Sequence, residues 1–140
     1  MILAVDISNA FSRTQRECQL YELWKSGARG GVFLYCMSQY KNTYTVIRNG
    51  REYSRTILEQ QGSKQGGKLS ARDFVVYNSS WSRIIEAAEI GLKVEGQFCG
   101  AFVCADDSLS CTTSIAELIA VTLIYEYFRQ EYDVQFAYSI

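Results

Sequence analysis

The hydrophobic pattern at the start of the chain predicts one strand and two helices. The apolar run ILAVDI (2–7) is typical of a buried strand that ends near an acid, Asp6. Helical spacing follows in RTQRECQLYELWKSG (13–27), and Gly27 stands where a C-terminal cap is expected. GVFLYCMSQY (31–40) predicts a second helix, although its β-branched and aromatic residues leave a strand open.

The middle of the chain predicts a hairpin, a loop and a long helix. TYTVIRNGREYSRTILE (43–59) has extended runs on either side of an Asn-Gly dipeptide, which is a strong hairpin signal. GSKQGGKLS (62–70) is a polar, glycine-rich loop. From Ser70 the pattern is helical for about five turns, and Ser70 and Asp73 are spaced as a capping box.

The next segment, LKVEGQFCGAFVCADDSLSCTT (92–113), alternates in polarity and predicts strands around a turn. In this reading Val103 and Ala105 face one way, Phe102 and Cys104 face the other, and the pair Asp106-Asp107 lies in the turn.

A helix over about 115–130 and a final strand in DVQFAYSI complete the pattern. Ser114 and Glu117 predict a capping box at the start of this helix. Its spacing predicts a buried side made of Ile115, Leu118, Ile119, Thr122, Leu123 and Tyr127. The predicted order β, α, α, ββ, α, ββ, α, β indicates an α+β fold in which an antiparallel sheet carries helices on one face.

Composition narrows the class of protein. The 140 residues are enough for one domain, and 48% hydrophobic with 21% charged residues describes an ordinary globular chain. The N-terminus has no basic signal region and no apolar window is long enough to span a bilayer, so we expect an intracellular protein of the nucleus or cytoplasm that binds no membrane.

The absence of certain residues excludes several kinds of chemistry. There is no histidine, so Ser-His and Cys-His catalysis are excluded. The five cysteines are an odd set without a CxxC pair and predict free thiols. A net charge of −1 gives no global basic field for nucleic acid.

Three acids stand at special positions in the predicted sheet: Asp6 at the end of the first strand, and Asp106 and Asp107 in a later turn. If the first strand lies beside that hairpin, the three carboxylates converge. Carboxylates that converge repel one another unless a cation lies among them. Mg²⁺ suits such a set, and two ions can assist an in-line displacement. Turns containing two Asp residues are also common for conformational reasons alone.

The order of three motifs resembles that of reverse transcriptases. DISNAF from Asp6, GSKQGGKLS at 62–70 and CADD at 104–107 occur in the order and spacing of motifs A, B and C. The sequence is most similar to the non-LTR, LINE-type retrotransposon enzymes, and the resemblance covers essentially the whole chain. It implies a polymerase palm subdomain over 1–140, without the fingers and thumb.

The resemblance implies a role for individual residues. Asp6, Asp106 and Asp107 would be the catalytic metal ligands, assisted by the main-chain carbonyl of Ile7, and they would hold two Mg²⁺ ions, for which Mn²⁺ can substitute. Phe11 would be the steric gate that favours dNTP over NTP, although it also suits a plain core aromatic. Gln65 and Gly66 would touch the incoming nucleotide and the template. Two loop lysines could contact phosphate or simply be solvated: Lys64 and Lys68.

Three departures from the family pattern put normal efficiency in question. Ser12 stands where an Asp is common, Ala71 replaces the usual Pro, and Cys104 replaces a Tyr or Phe. None of them removes a metal ligand.

The intact enzyme implied by the resemblance would extend a DNA primer with dNTP on an RNA template. The remainder of the polymerase would be its partner, and the 140-residue chain alone would be inactive or weakly active. Two alternatives stay open: the palm of an RNA-directed RNA polymerase, and a degenerate palm kept as a binding module.

Overall fold

A computed structural model describes residues 1–63, 67 and 69–139. In chain order the elements are β1 (Ile2–Ile7), α1 (Ala10–Arg13), α2 (Arg16–Lys25), α3 (Gly30–Tyr40), β2 (Tyr44–Thr45), β3 (Arg48–Asn49), β4 (Glu52–Tyr53), β5 (Ile57–Leu58), α4 (Ser70–Asn78), α5 (Ser80–Ala87), β6 (Lys93–Val94), β7 (Gln97–Phe98), β8 (Ala101–Cys104), β9 (Asp107–Cys111), α6 (Ile115–Tyr132) and β10 (Phe136–Ser139). None of the helices in this described part of the chain is long and apolar enough to cross a membrane.

The four longest strands form one antiparallel sheet in the order β10-β1-β9-β8. The central strands are therefore β1 and β9, which lie far apart in the sequence. Alternation along β1 buries Leu3, Val5 and Ile7 on one face, whereas Asp6 points to the other face and is exposed. One face of the sheet is thus apolar and covered, and the opposite face is open.

Helices α5 and α6 cover the apolar face. The main core consists of Leu3, Val5, Trp81, Ile85, Val121, Tyr125 and Phe128. A second cluster joins the end of β1 to α1 and α4 through Ile7, Ala10, Phe74, Tyr77 and Val134. The prediction of an α+β fold with an antiparallel sheet and helices packed on one face is confirmed.

The buried side of α6 differs from the predicted one. Four residues assigned to the buried side are each more than half exposed, namely Ile115, Ile119, Leu123 and Tyr127. The sheet is instead covered by Val121, Tyr125 and Phe128. Because apolar residues occur around most of the circumference of α6, its periodicity does not select one face. The face that packs is the one that carries Tyr125 and Phe128, whose rings bury large areas.

The hairpin predicted at 43–59 is present, but its turn lies one residue later than expected. The strand β3 pairs with β4 so that Asn49 is opposite Glu52. The two turn residues are therefore Gly50 and Arg51, and Gly50 adopts a positive φ of 62°. Glycine takes this conformation without a steric cost, which explains the shift.

The single long helix predicted after Ser70 is two helices, α4 and α5, separated at Ser79. The hydroxyls of Ser79 and Ser80 donate to the main-chain oxygens of Val75 and Tyr77, at 2.6 and 2.7 Å. Such local bonds compete with the regular helical ladder. The capping box predicted at Ser70 is absent, because Leu69 precedes the helix and no side chain caps it.

Candidate active site

Two aspartates lie directly opposite one another on the central strands. In the antiparallel register, Asp6 of β1 is the partner of Asp107 of β9. Both residues are exposed, and paired residues project from the same face of a sheet. Directly opposite Cβ atoms are about 4.5–5.5 Å apart, and like charges so placed destabilise the pair. The open face therefore carries a local concentration of negative charge.

Residues on the open face form two rows across the four strands. One row consists of Cys104, Asp107, Asp6 and Ala137, and the next consists of Phe102, Leu109, Ala4 and Ser139. These rows line a shallow concavity of about 450 Å³. Because the second row is largely apolar, the two carboxylates border an apolar surface.

Asp106 is the second residue of the two-residue turn between β8 and β9, and Asp107 follows it in the chain. The sequence placed both acids in the turn, whereas Asp107 is the first residue of β9 and pairs with Cys104. Within the ranges that the structure describes, no three His, Cys, Asp or Glu side chains form a group that could hold a metal ion. The fold brings Asp6 and Asp107 into register and leaves Asp106 beside them in the turn.

The main chain of Ile7 was the fourth ligand expected from the sequence. Ile7 is the last residue of β1, one position beyond the Asp6 and Asp107 pair, and it pairs only with Phe136 of β10. Its side chain is 5% exposed and belongs to the core.

The donor set suits a hard divalent cation. Mg²⁺ is commonly held by one or two carboxylates together with water and substrate phosphate oxygens. Asp6 and Asp107 are two carboxylates on one exposed face and are the residues that could hold such an ion.

Phe11 lies in the short helix α1, which begins three residues after β1 ends. Asn9 takes a left-handed φ of 55° at this corner, a conformation that Asn tolerates better than most residues. The ring of Phe11 stacks on that of Phe74 with centroids 4.6 Å apart, and the residue is half-buried. The ring therefore packs on the second core cluster while part of it stays accessible.

The start of the glycine-rich loop is fastened to α1. The main-chain N–H of Gly62 donates to the oxygen of Thr14 at 2.8 Å, and that of Ser63 donates to the oxygen of Phe11 at 2.6 Å. The loop thus begins beside Phe11. Gln65 and Gly66, the nucleotide-contacting residues expected from the sequence, lie outside the described residues, as do Lys64 and Lys68.

Arg16 joins several chain segments, and the sequence pattern did not predict this role. Its guanidinium donates to the main-chain oxygens of Gly62 and Glu59 at 2.8 and 2.7 Å, and to the Thr43 hydroxyl at 2.7 Å. A salt bridge to the Glu59 carboxylate at 3.2 Å and a longer hydrogen bond to the main-chain oxygen of Tyr40 at 3.3 Å complete the set. One side chain therefore holds both ends of the 43–59 hairpin and the start of the loop. Because its partners lie 24 to 46 residues away, no local pattern could reveal it.

Two titratable groups, Asp73 of α4 and Tyr40 of α3, have raised pKa values. Burial raises the pKa of the Asp73 carboxyl, although nearby Arg72 opposes the shift. Burial also raises the pKa of Tyr40, whose hydroxyl lies 3.3 Å from that of Ser63.

The fold resembles that of two solved telomerases. The sequence matches no family model and no curated protein. The apo telomerase of Candida tropicalis, truncated from its C-terminal domain, superposes with a TM-score of 0.68 and 16% identity, over 99% of this chain and 30% of that one. The telomerase of Candida albicans, in complex with the TWJ fragment of telomeric RNA, gives a TM-score of 0.71 and 11% identity, over 99% and 27%.

These similarities define the class of fold. Telomerase is a reverse transcriptase, so the chain has a reverse-transcriptase-like fold whose sheet and helices match a polymerase palm. The chain spans less than a third of either telomerase chain. At identities of 16% and 11% the likeness concerns the fold and does not assign an activity.

Proposed function

We propose that this chain is the catalytic palm of an RNA-directed DNA polymerase of the non-LTR, LINE type. The observation that carries the proposal is the direct pairing of Asp6 with Asp107 on the open face of a reverse-transcriptase-like sheet. Opposed carboxylates on adjacent strands are unfavourable in themselves. A catalytic requirement for bound cations would explain why two carboxylates stand opposite one another here.

In the proposed reaction, the 3′-hydroxyl of a DNA primer attacks the α-phosphorus of a dNTP paired to an RNA template, and pyrophosphate leaves. Asp6, Asp106 and Asp107, with the carbonyl of Ile7, would hold two Mg²⁺ ions, for which Mn²⁺ could substitute. Once bound, the ions would supply positive charge against the developing negative charge and lower the pKa of the attacking hydroxyl. Asp6 and Asp107 lie on the central strands β1 and β9 of the sheet, so their positions relative to one another are fixed by strand pairing.

Phe11 and the glycine-rich loop form the nucleotide side of the proposed site. The exposed part of Phe11 faces the sugar of the incoming nucleotide and disfavours a 2′-hydroxyl, while Gln65 and Gly66 contact the nucleotide and the template. The hydrogen bond from Ser63 to Phe11 supports this arrangement, because it ties the loop to α1 two residues before Gln65.

Nucleic acid and further polymerase domains are the proposed partners. The Candida albicans telomerase was solved with an RNA fragment, which supports an RNA template for this chain. This chain spans 30% or less of each telomerase, which supports a need for fingers and thumb domains. Without them we expect little or no primer extension, because those domains position primer and template.

A non-catalytic palm is the second candidate. It is favoured by the lack of a three-acid metal group within residues 1–63, 67 and 69–139. In that case Asp6 and Asp107 would be remnants, and the open face would bind a ligand without chemistry. An RNA-directed RNA polymerase palm would keep the cations but prefer a ribonucleotide.

Calorimetry with nucleotide tests the proposal. Mn²⁺-dTTP and Mn²⁺-UTP are titrated separately into the wild-type chain, into Asp107→Asn and into Glu52→Gln, which alters an exposed acid on β4, away from the sheet. We expect Mn²⁺-dTTP to bind the wild type and Glu52→Gln equally. We expect Asp107→Asn to weaken binding by at least about tenfold, since it removes one of the charged ligands.

Each other outcome favours a different reading. Tighter binding of Mn²⁺-UTP than of Mn²⁺-dTTP would favour an RNA polymerase palm. No binding by a folded wild-type chain, or equal binding by Asp107→Asn, would contradict the proposed site and favour the non-catalytic palm. A Phe11→Ala variant is a poor substitute for this comparison, because the ring also packs on Phe74.

A further inference from the structure

Asn78 connects the helical layer to the turn that carries Asp106. It is the last residue of α4 and is 3% exposed. Its Nδ2 donates a hydrogen bond to the main-chain oxygen of Ala105 at 2.6 Å. Its Oδ1 accepts a hydrogen bond from Nε1 of the buried Trp81 at 3.2 Å. Because an indole N–H can only donate, this second bond fixes which end of the amide faces Ala105.

The turn that receives this hydrogen bond has an unfavourable conformation. Ala105 has a left-handed φ of 56°, whereas Asp106 is not among the residues with positive φ. In a two-residue hairpin turn, this is the pattern of a type II′ turn, whose first position is normally Gly. Alanine pays a steric cost there because of its Cβ. An external hydrogen bond to Ala105 offsets this cost.

The turn also sets the register of Asp107. The pairings of Cys104 with Asp107 and of Asp107 with Asp6 depend on exactly two residues, Ala105 and Asp106, lying between the strands. A slip of one residue would move Asp107 to the helix-covered face, because side chains alternate along a strand. Local rearrangement of the turn would therefore separate the two opposed carboxylates.

We propose that Asn78 is a positioning residue, which acts through the Ala105 carbonyl to hold the Asp106 turn and so keeps Asp107 opposite Asp6. The catalytic meaning of this role rests on the proposed function, whereas the structural coupling between Asn78 and the turn does not. The role is specific to the donor on Nδ2, and it requires Trp81 to orient the amide.

Three variants separate this role from a general loss of stability. Asn78→Leu keeps the approximate size of the side chain but removes the donor. Ser80→Ala is the matched control, since it also deletes a buried hydrogen bond to a main-chain oxygen, that of Tyr77, at the start of α5. The double variant Asn78→Leu with Ala105→Gly tests rescue, because glycine adopts a positive φ without the cost that alanine pays.

Two measurements are made on each variant: amide hydrogen exchange over 103–109, compared with that of β1, and Mn²⁺ affinity by calorimetry. We expect Asn78→Leu to speed exchange over 103–109 by about tenfold and to weaken Mn²⁺ binding by about tenfold, the effect of losing one hydrogen bond. Ser80→Ala should change neither, and adding Ala105→Gly should restore most of both. If Asn78→Leu does not fold, Asn78→Ser, whose hydroxyl can bond within the helix, replaces it with the same expectation.

The two readouts distinguish failure of this inference from failure of the proposed function. Unchanged exchange over 103–109 in a folded Asn78 variant, or an equal change in Ser80→Ala, would overturn the positioning role. If the wild type binds no Mn²⁺ but Asn78→Leu still loosens 103–109 selectively, the positioning role stands and the metal site of the proposed function fails.

Discussion

Gly62 shows how a single residue joins two parts of the candidate site. It has a φ of 90°, and a Cβ at this position would lie 2.9 Å from the main-chain oxygen of Ser12 and 3.2 Å from that of Phe11. Both distances are tighter than ordinary van der Waals contact. Only glycine therefore lets the loop approach α1 closely enough to form the hydrogen bonds of Gly62 and Ser63.

Substitution of Gly62 by Ala should accordingly cost more than conformational strain alone. Gly27→Ala is the matched control, because Gly27 has a similar φ of 101° with nothing within 4 Å of an added Cβ. We expect Gly27→Ala to lower the free energy of unfolding by about 1–2 kcal/mol, the cost of the left-handed conformation. Gly62→Ala should cost about 1–3 kcal/mol more, because backbone atoms must move. Urea unfolding measures both, and equal costs would contradict the close packing of the loop on α1.

At the level of elements, the start of α6 is held by side chains that also make its stability depend on pH. The Ser114 hydroxyl accepts from the Glu117 N–H at 3.2 Å, as the sequence predicted. The Glu117 carboxylate accepts from the N–H and hydroxyl of Thr113, at 2.7 and 2.9 Å. The hydrogen bond from the Thr113 N–H is the main reason that the pKa of Glu117 lies below its usual range.

Removal of this cap should destabilise the chain in a pH-dependent way. Ser114→Ala should lower the free energy of unfolding by about 1 kcal/mol, as for other lost N-caps.

The carboxylate of Glu117 makes the stability depend on pH. Because the folded-state pKa of Glu117 is lowered, its contribution to stability is present above the unfolded-state pKa and is lost as pH falls through the folded-state pKa. Glu117→Gln should therefore have a lower Tm than wild type at neutral pH, and the difference should shrink in acid. A difference that is constant from neutral to acid pH would contradict the role of the carboxylate.

The same helix shows why its packing was harder to predict than its start. Capping depends on residues three positions apart, so Ser114 and Glu117 are visible in the sequence. The buried face depends on what the helix meets. Ile115 and Leu123 are as apolar as the residues that pack, yet they are exposed, because the face of α6 that packs against the sheet is the one with Tyr125 and Phe128.

For the molecule as a whole, the sequence was sufficient for the α+β class and for most of the elements, although it joined α4 and α5 into one helix and did not predict α1. It gave the pairing of the Asp6 strand with the hairpin that contains Asp107 only as a condition, which the structure meets. The sequence did not predict contacts between residues far apart in the chain, because such contacts produce no periodic pattern. Asn78 reaches Ala105 across 27 residues, and Arg16 reaches Gly62 across 46. These contacts position the turn and the loop, so the residues with a proposed chemical role were easier to recognise than the residues that hold them in place.

The central claim is that the opposed pair Asp6 and Asp107 is a divalent-cation site in a polymerase palm. The most direct test is to add Mn²⁺ to isotopically labelled protein and to map the paramagnetic broadening of backbone amide signals, which falls steeply with distance. We predict that the strongest broadening occurs at Asp6, Ile7, Asp106 and Asp107, and that it disappears when Mg²⁺ is added in excess. Broadening that is centred elsewhere, or spread evenly over the acidic surface, would contradict the account.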